Sequence, residues 1–252
     1  ETIVHAVLHP EVYDSISSHT RAVFKTSCNR PKAVLFEGPP GTGKTLTARI
    51  LANQVSKPMI HLSVEHILSK WYGESEKKLS KIFDLCERMG GAVLFIDEID
   101  ALATSRDSSS TMHEATRRIL SVILQHLEGF QGTSSNILVC ATNRKQDLDS
   151  ALLSRFDICI HYHLPNITTR HAIYKRYAKQ LKSQDLDELA RLSHGLSCRD
   201  IRDVCAQTER QVASKIIRKE MKPGEIPQLS HYLVNLQQRL KDKGHGDAVM
   251  DM

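Results

Sequence analysis

Gly38-Pro39-Pro40-Gly41-Thr42-Gly43-Lys44-Thr45 fits the pattern G-x-x-x-x-G-K-[ST]. Ala33-Val34-Leu35-Phe36 stands before it, a short apolar run that reads as a buried strand ending in a tight Gly/Pro loop. Residues 44–56 follow it, with Ile50, Leu51 and Val55 at helical spacing. Strand, glycine loop and helix are the setting in which backbone N–H groups turn inward around phosphate oxygens. The start of the helix adds the positive end of its dipole. In such a loop Lys44 reaches the β- and γ-phosphates, and the Thr45 hydroxyl is a Mg²⁺ ligand. Gly38, Pro39, Pro40, Gly41, Thr42, Gly43, Lys44, Thr45 and Leu46 are the candidate nucleotide-binding residues.

Leu94-Phe95-Ile96-Asp97-Glu98 lies downstream, at the end of a second continuous apolar run. A buried strand here delivers Asp97 beside the phosphate loop, where it would hold Mg²⁺ through water. Glu98 is then placed to orient and activate an attacking water. Two adjacent acids point to hydrolysis as well as binding.

Moving outward, 58–62, 92–96, 136–141 and 158–164 read as further strands. Amphipathic stretches at 75–89 and 112–127 read as helices. The alternation predicts an α/β fold, a parallel sheet covered by helices on both faces. After Pro165 the strands stop, and 168–182, 185–193, 198–219 and 228–241 read as helices. The expected domains are 1–164 (nucleotide-binding), 165–241 (helical) and a flexible tail from 242 to 252.

The chain has 252 residues, 40% hydrophobic and 25% charged, which suits a globular fold and excludes collagen-like, disordered and disulfide-scaffold classes. It has no apolar run long enough for a membrane-spanning helix. A start at Glu1, with no basic-then-apolar leader, suits a fragment or processed form. The net charge of +5 comes from residues 164–252, with 16 basic against 11 acidic side chains. That is a solvated basic helical surface or an attraction to an acidic partner. The six cysteines form no Cys-x-x-Cys pair and match no zinc spacing, so reduced thiols in a reducing compartment are expected, cytosol or organelle interior. His161 and His163 flank Tyr162 on the last strand and would share a face, as packed or solvent-facing side chains before a metal pair.

With these motifs the chain resembles the AAA ATPases of the P-loop NTPase superfamily, a spastin- or katanin-like or related remodeller of the classic branch. The resemblance runs from about residue 30 to 220. It implies ATP and Mg²⁺ as ligands, a small helical lid after the α/β domain, and a ring, expected to be a homohexamer. Ala141-Thr142-Asn143-Arg144 is similar to the sensor-1 motif, which implies that Asn143 helps position the water. Leu152-Leu153-Ser154-Arg155 lies where the family carries arginine fingers. Ser154 replaces the first of two arginines, so Arg155 alone would reach a neighbour's γ-phosphate. Lys70-Trp71-Tyr72-Gly73 resembles the pore loop of protein-translocating members, with a second pore loop at 104–111 followed by Glu114, Arg117 and Arg118. Gly195-Leu196-Ser197-Cys198-Arg199-Asp200-Ile201 resembles the lid segment, which implies Arg199 (or Arg202) as a sensor-2 phosphate contact. Ile173, with Tyr177, falls at lid positions near the adenine. The implied activity is ATP-driven remodelling of protein substrates through a central pore. The alternative is a nucleic-acid-associated loader or motor.

Overall fold

The computed structural model describes residues 1–9, 11–13, 15–16, 31–63, 74–101, 119, 121–123, 125 and 136–244. By internal contacts these form two compact units. One comprises residues 1–38 and 44–162, the other 39–43 together with residues from 163 onward.

The first unit holds five strands, β1 (Ala33–Glu37), β2 (Met59–Ser63), β3 (Val93–Asp97), β4 (Ile137–Thr142) and β5 (Ile158–His161). Every pairing is parallel, in the order β2-β3-β4-β1-β5. Burial on both faces explains the unbroken apolar runs at β1, β3 and β4. Leu35, Leu94, Ile96, Leu138 and Cys140 point to one side, against Leu79, Phe83 and Cys86 of helix Glu74–Arg88. Val34, Phe36, Val93, Phe95 and Val139 point to the other, against Ala48, Leu51 and Ala52 of helix Lys44–Gln54. The N-terminal helix Thr2–Leu8, which no motif marks in the sequence, also lays Ile3 on this second face. This is the parallel sheet between helices that the sequence predicts.

Some ends differ from expectation. β5 stops at His161 and not Leu164, because its partner β1 stops at Glu37; the Tyr162 amide makes the last rung to the Glu37 carbonyl at 2.7 Å. His163 therefore falls beyond the strand. The pore segment expected at 70–73, the loop 104–111 and most of the helix expected at 112–127 lie outside the described residues; 119, 121–123 and 125 are helical.

The second unit is helical: Ile167–Tyr177, Ser183–Leu192, Cys198–Ile217 and Leu229–Asp242. They enclose Tyr174, Leu189, Ile201, Val204, Tyr232 and Leu236. Asn166 caps the first of them by accepting from the Thr169 amide at 2.8 Å. The buried Arg170 guanidinium ties that helix to the next, donating to the carbonyls of Ala190 and Pro165, each at 2.8 Å. The first helix ends at Tyr177, short of residue 182, because Ala178 leaves helical geometry while its amide still donates to the Tyr174 carbonyl. The last helix runs to Asp242. Asp242 thus lies in the helix, and Lys243, also expected in a loose tail, donates to Asp200 at 2.5 Å.

Candidate functional site

The phosphate loop leaves β1 through backbone that only glycine tolerates well. Gly38 has φ +143°, and a Cβ there would lie 2.2 Å from the Tyr162 carbonyl oxygen. Gly41 (φ +76°) and Gly43 (φ +108°) lie in or near the left-handed region, and the loop delivers Lys44 as the first residue of its helix. Thr42 steadies the turn, its hydroxyl donating to the Pro39 carbonyl at 2.8 Å.

Lys44 is buried, 7% exposed, and its ammonium donates to the Gly38 carbonyl at 2.6 Å and to Asn143 Oδ1 at 2.8 Å. Asn143 directly follows β4, which lies between β1 and β3 in the sheet, so this strand order brings it to the loop. On the other side of β4, Thr45 Oγ1 lies 3.3 Å from Asp97 Oδ2 at the end of β3. A hydroxyl and a carboxylate oxygen at this separation are hard donors that suit Mg²⁺, which keeps the rest of its shell as water or phosphate. Leu46, one residue further along the helix, is 61% exposed and adds no polar group.

Asp97 Oδ1 accepts the Glu98 amide at 3.0 Å. Glu98 itself has φ +54°, the left-handed region that a non-glycine residue occupies at a cost of ~1–3 kcal/mol. The turn is anchored on β4. The Ile99 amide donates to the Ala141 carbonyl at 3.0 Å, and the Thr142 hydroxyl donates to Asp100 Oδ1 at 2.9 Å. The result is an exposed carboxylate on a backbone held from behind.

Sequence reasoning passed over two neighbours of these residues. His61 lies opposite Phe95 in the β2–β3 register, with its ring 5.3 Å from the phenyl ring and Nε2 3.8 Å from Asp97 Oδ2. The Thr142–Asp100 bond links the acidic segment to the segment that carries Asn143. Both depend on register, which local spacing does not reveal.

Arg155 follows the short helix Ser150–Leu153, capped by Asp149 through the Ala151 amide at 2.9 Å. Arg155 is exposed, and the Ser154 hydroxyl turns back to the Ala151 carbonyl at 2.9 Å. In the second unit the Arg199 amide donates to the Gly41 carbonyl at 3.0 Å, and the Arg199 side chain is exposed. Arg202 is engaged with its neighbour Asp203 at 2.9 Å. Ile173 is partly buried against the helical core, and Tyr177 is 40% exposed. Lys70, Trp71, Tyr72 and Gly73 lie outside the described residues.

The model of the ATPase family associated with various cellular activities (AAA) matches residues 34–164. A cell division cycle protein 48 homolog of Archaeoglobus fulgidus is 32% identical over 233 residues, 90% of this chain and 30% of the relative. A putative cell division cycle ATPase of Plasmodium falciparum is 31% identical over 222 residues, 86% of this chain and 17% of the relative. The chain thus spans less than a third of the length of these relatives. The crystal structure of the FIGL-1 AAA domain in complex with ADP superposes with a TM-score of 0.75 at 27% identity, covering 93% of this chain and 77% of that one. A second structure of the FIGL-1 AAA domain gives 0.77 at 27% identity, covering 98% and 83%. A glycine loop ending in Lys44-Thr45, a paired acid segment and Asn143 on one parallel sheet, with a family match over half the chain, lead to one conclusion: this chain is an ATPase domain of the AAA family.

Proposed function

We propose that the chain hydrolyses ATP within a ring, a homohexamer, and uses the energy to remodel protein substrates. Residues 1–164 serve as the nucleotide-binding domain and those from 165 onward as its lid. The observation that supports the reading best is the meeting of Lys44 with Asn143 and of Thr45 with Asp97.

In this mechanism the backbone N–H groups of 41–46 cradle the phosphates of ATP, and Lys44 turns its ammonium from Gly38 and Asn143 toward the β- and γ-phosphates. Thr45 and Asp97 would hold Mg²⁺, which neutralises phosphate charge. Asn143, released from Lys44, positions the attacking water, and Glu98 accepts its proton. Arg155 of an adjacent protomer stabilises the charge that develops on the γ-phosphate, a contribution of ~10³–10⁵ in rate for such arginines. Arg199 and Ile173 contact the nucleotide from the lid. Trp71 and Tyr72, flanked by Lys70 and Gly73, grip an extended polypeptide with rigid aromatic area.

Steady-state ATPase assays test both parts. Glu98→Gln should keep nucleotide affinity and lower turnover by ~10²–10⁴; unchanged turnover would remove Glu98 as the base. In the unmodified chain an unfolded polypeptide should stimulate hydrolysis. Stimulation by DNA or RNA instead would favour the nucleic-acid motor.

A further inference from the structure

We propose that Glu37, Cys159 and His161 form a zinc site on the sheet, separate from the phosphate-loop oxygens. The strand register builds it. In the parallel β1–β5 pairing Glu37 lies opposite His161, and Leu35 opposite Cys159. Cys159 and His161 are two residues apart on one strand and so share a face. Glu37 joins them from the adjacent strand. His161 Nδ1 lies against Glu37 Oε1, and Cys159 Sγ is 3.2 Å from Glu37 Oε2. The three ligand atoms all lie within 4.8 Å of one another.

Tetrahedral zinc, with Zn–S of about 2.3 Å and Zn–N or Zn–O of about 2.0–2.2 Å, sets its ligand atoms roughly 3.3–3.8 Å apart. Small side-chain rotations bring this trio to that spacing. Thiolate, imidazole and carboxylate together favour zinc over magnesium or calcium. Three protein ligands leave a fourth position for water. β5 is the edge strand and the His161 side chain is 54% exposed, so an ion has a way in.

The competing occupant is Lys145, whose ammonium lies 2.7 Å from Glu37 Oε2 and 3.5 Å from Cys159 Sγ. The ammonium occupies Glu37 Oε2 and repels an incoming dication, so zinc binds better once the lysine is displaced. The Lys145 side chain is 37% exposed and can swing into water. As the Zn–S bond forms, the thiol proton leaves to solvent. A purely structural ion pair and a metal site therefore differ in one respect: removing the lysine weakens the first and frees the second.

The test is titration of the chelator-treated chain with Co²⁺ and then Zn²⁺, in excess Mg²⁺ to occupy the phosphate-loop oxygens. One equivalent of Co²⁺ should produce a thiolate-to-cobalt charge-transfer band that Zn²⁺ abolishes. Cys159→Ser, nearly isosteric, should eliminate the band. The exposed-site variant His161→Gln should weaken Zn²⁺ binding at least tenfold, and Lys145→Met should tighten it severalfold. Absence of the band, its survival in Cys159→Ser, or unchanged or weaker Zn²⁺ binding in Lys145→Met would overturn the proposal.

Discussion

At the scale of single residues, the loop glycines differ in why they are needed. Gly41 has φ +76°, and a Cβ there would lie 2.6 Å from Ser197 Oγ and 2.8 Å from Arg199 Cβ. Gly43 has φ +108° with open space where its Cβ would be. Gly43→Ala then carries backbone strain alone, of order 1–2 kcal/mol. Gly41→Ala adds a collision with a buried serine. Thermal melts should show the larger drop for Gly41→Ala, and fluorescent-nucleotide titration should show weakened binding in both; equal melting temperatures would mean that Ser197 gives way freely. The glycine–lysine–threonine pattern was readable in the sequence because all its members are neighbours. The Glu37 cluster was not: its hydrogen bonds span 122 and 124 residues, and only the pairing of β1 with β5 brings them together. Along the chain Cys159 and His161 make only half a zinc site.

At the scale of elements, the helical unit turns on Asp200, which is 3% exposed. It accepts from the Ser197 amide at 2.9 Å and the Ser197 hydroxyl at 2.6 Å, closing a capping box at the start of Cys198–Ile217. Its other contacts come from the last helix and the residue after it, Arg239 at 2.7 Å and Lys243 at 2.5 Å. Burial pushes the Asp200 carboxyl up, but Lys243, Ser197 and Arg239 together outweigh it and hold the group well below the usual carboxylate range. A depressed folded value means that this stabilisation is complete above pH ~4 and fades as the pH falls below it. Asp200→Asn should cost roughly 1–3 kcal/mol at neutral pH, since the two cations are partly exposed. It should also flatten the acid limb of a melting-temperature profile; an unaltered limb would show that Asp200 is not the group that titrates. Helix positions were legible here from apolar spacing. Their ends were less so. Lys243 reads as tail because Gly244 and Gly246 follow it, and its partner stands 43 residues upstream.

For the whole molecule, the proposed ring predicts that active sites are shared. A Glu98→Gln protomer lacks the base but keeps its arginine; an Arg155→Ala protomer has the reverse defect. Each should be nearly inactive alone. Mixed, they should regain part of the wild-type ATPase rate, since an Arg155→Ala site can borrow the finger of a Glu98→Gln neighbour. No recovery across mixing ratios would mean that Arg155 does not act between protomers. The α/β fold was open to reading because the apolar runs at β1, β3 and β4 are buried on both faces. Strand order was not, and strand order is what sets Asn143 beside Lys44.

The twisted main chain at Glu98 would suit glycine better than any acid, so Glu98→Gly should make the chain sturdier and inert. Selection for durability alone would erase the carboxylate. If Glu98 is the proposed base, robustness at this position has been surrendered to chemistry.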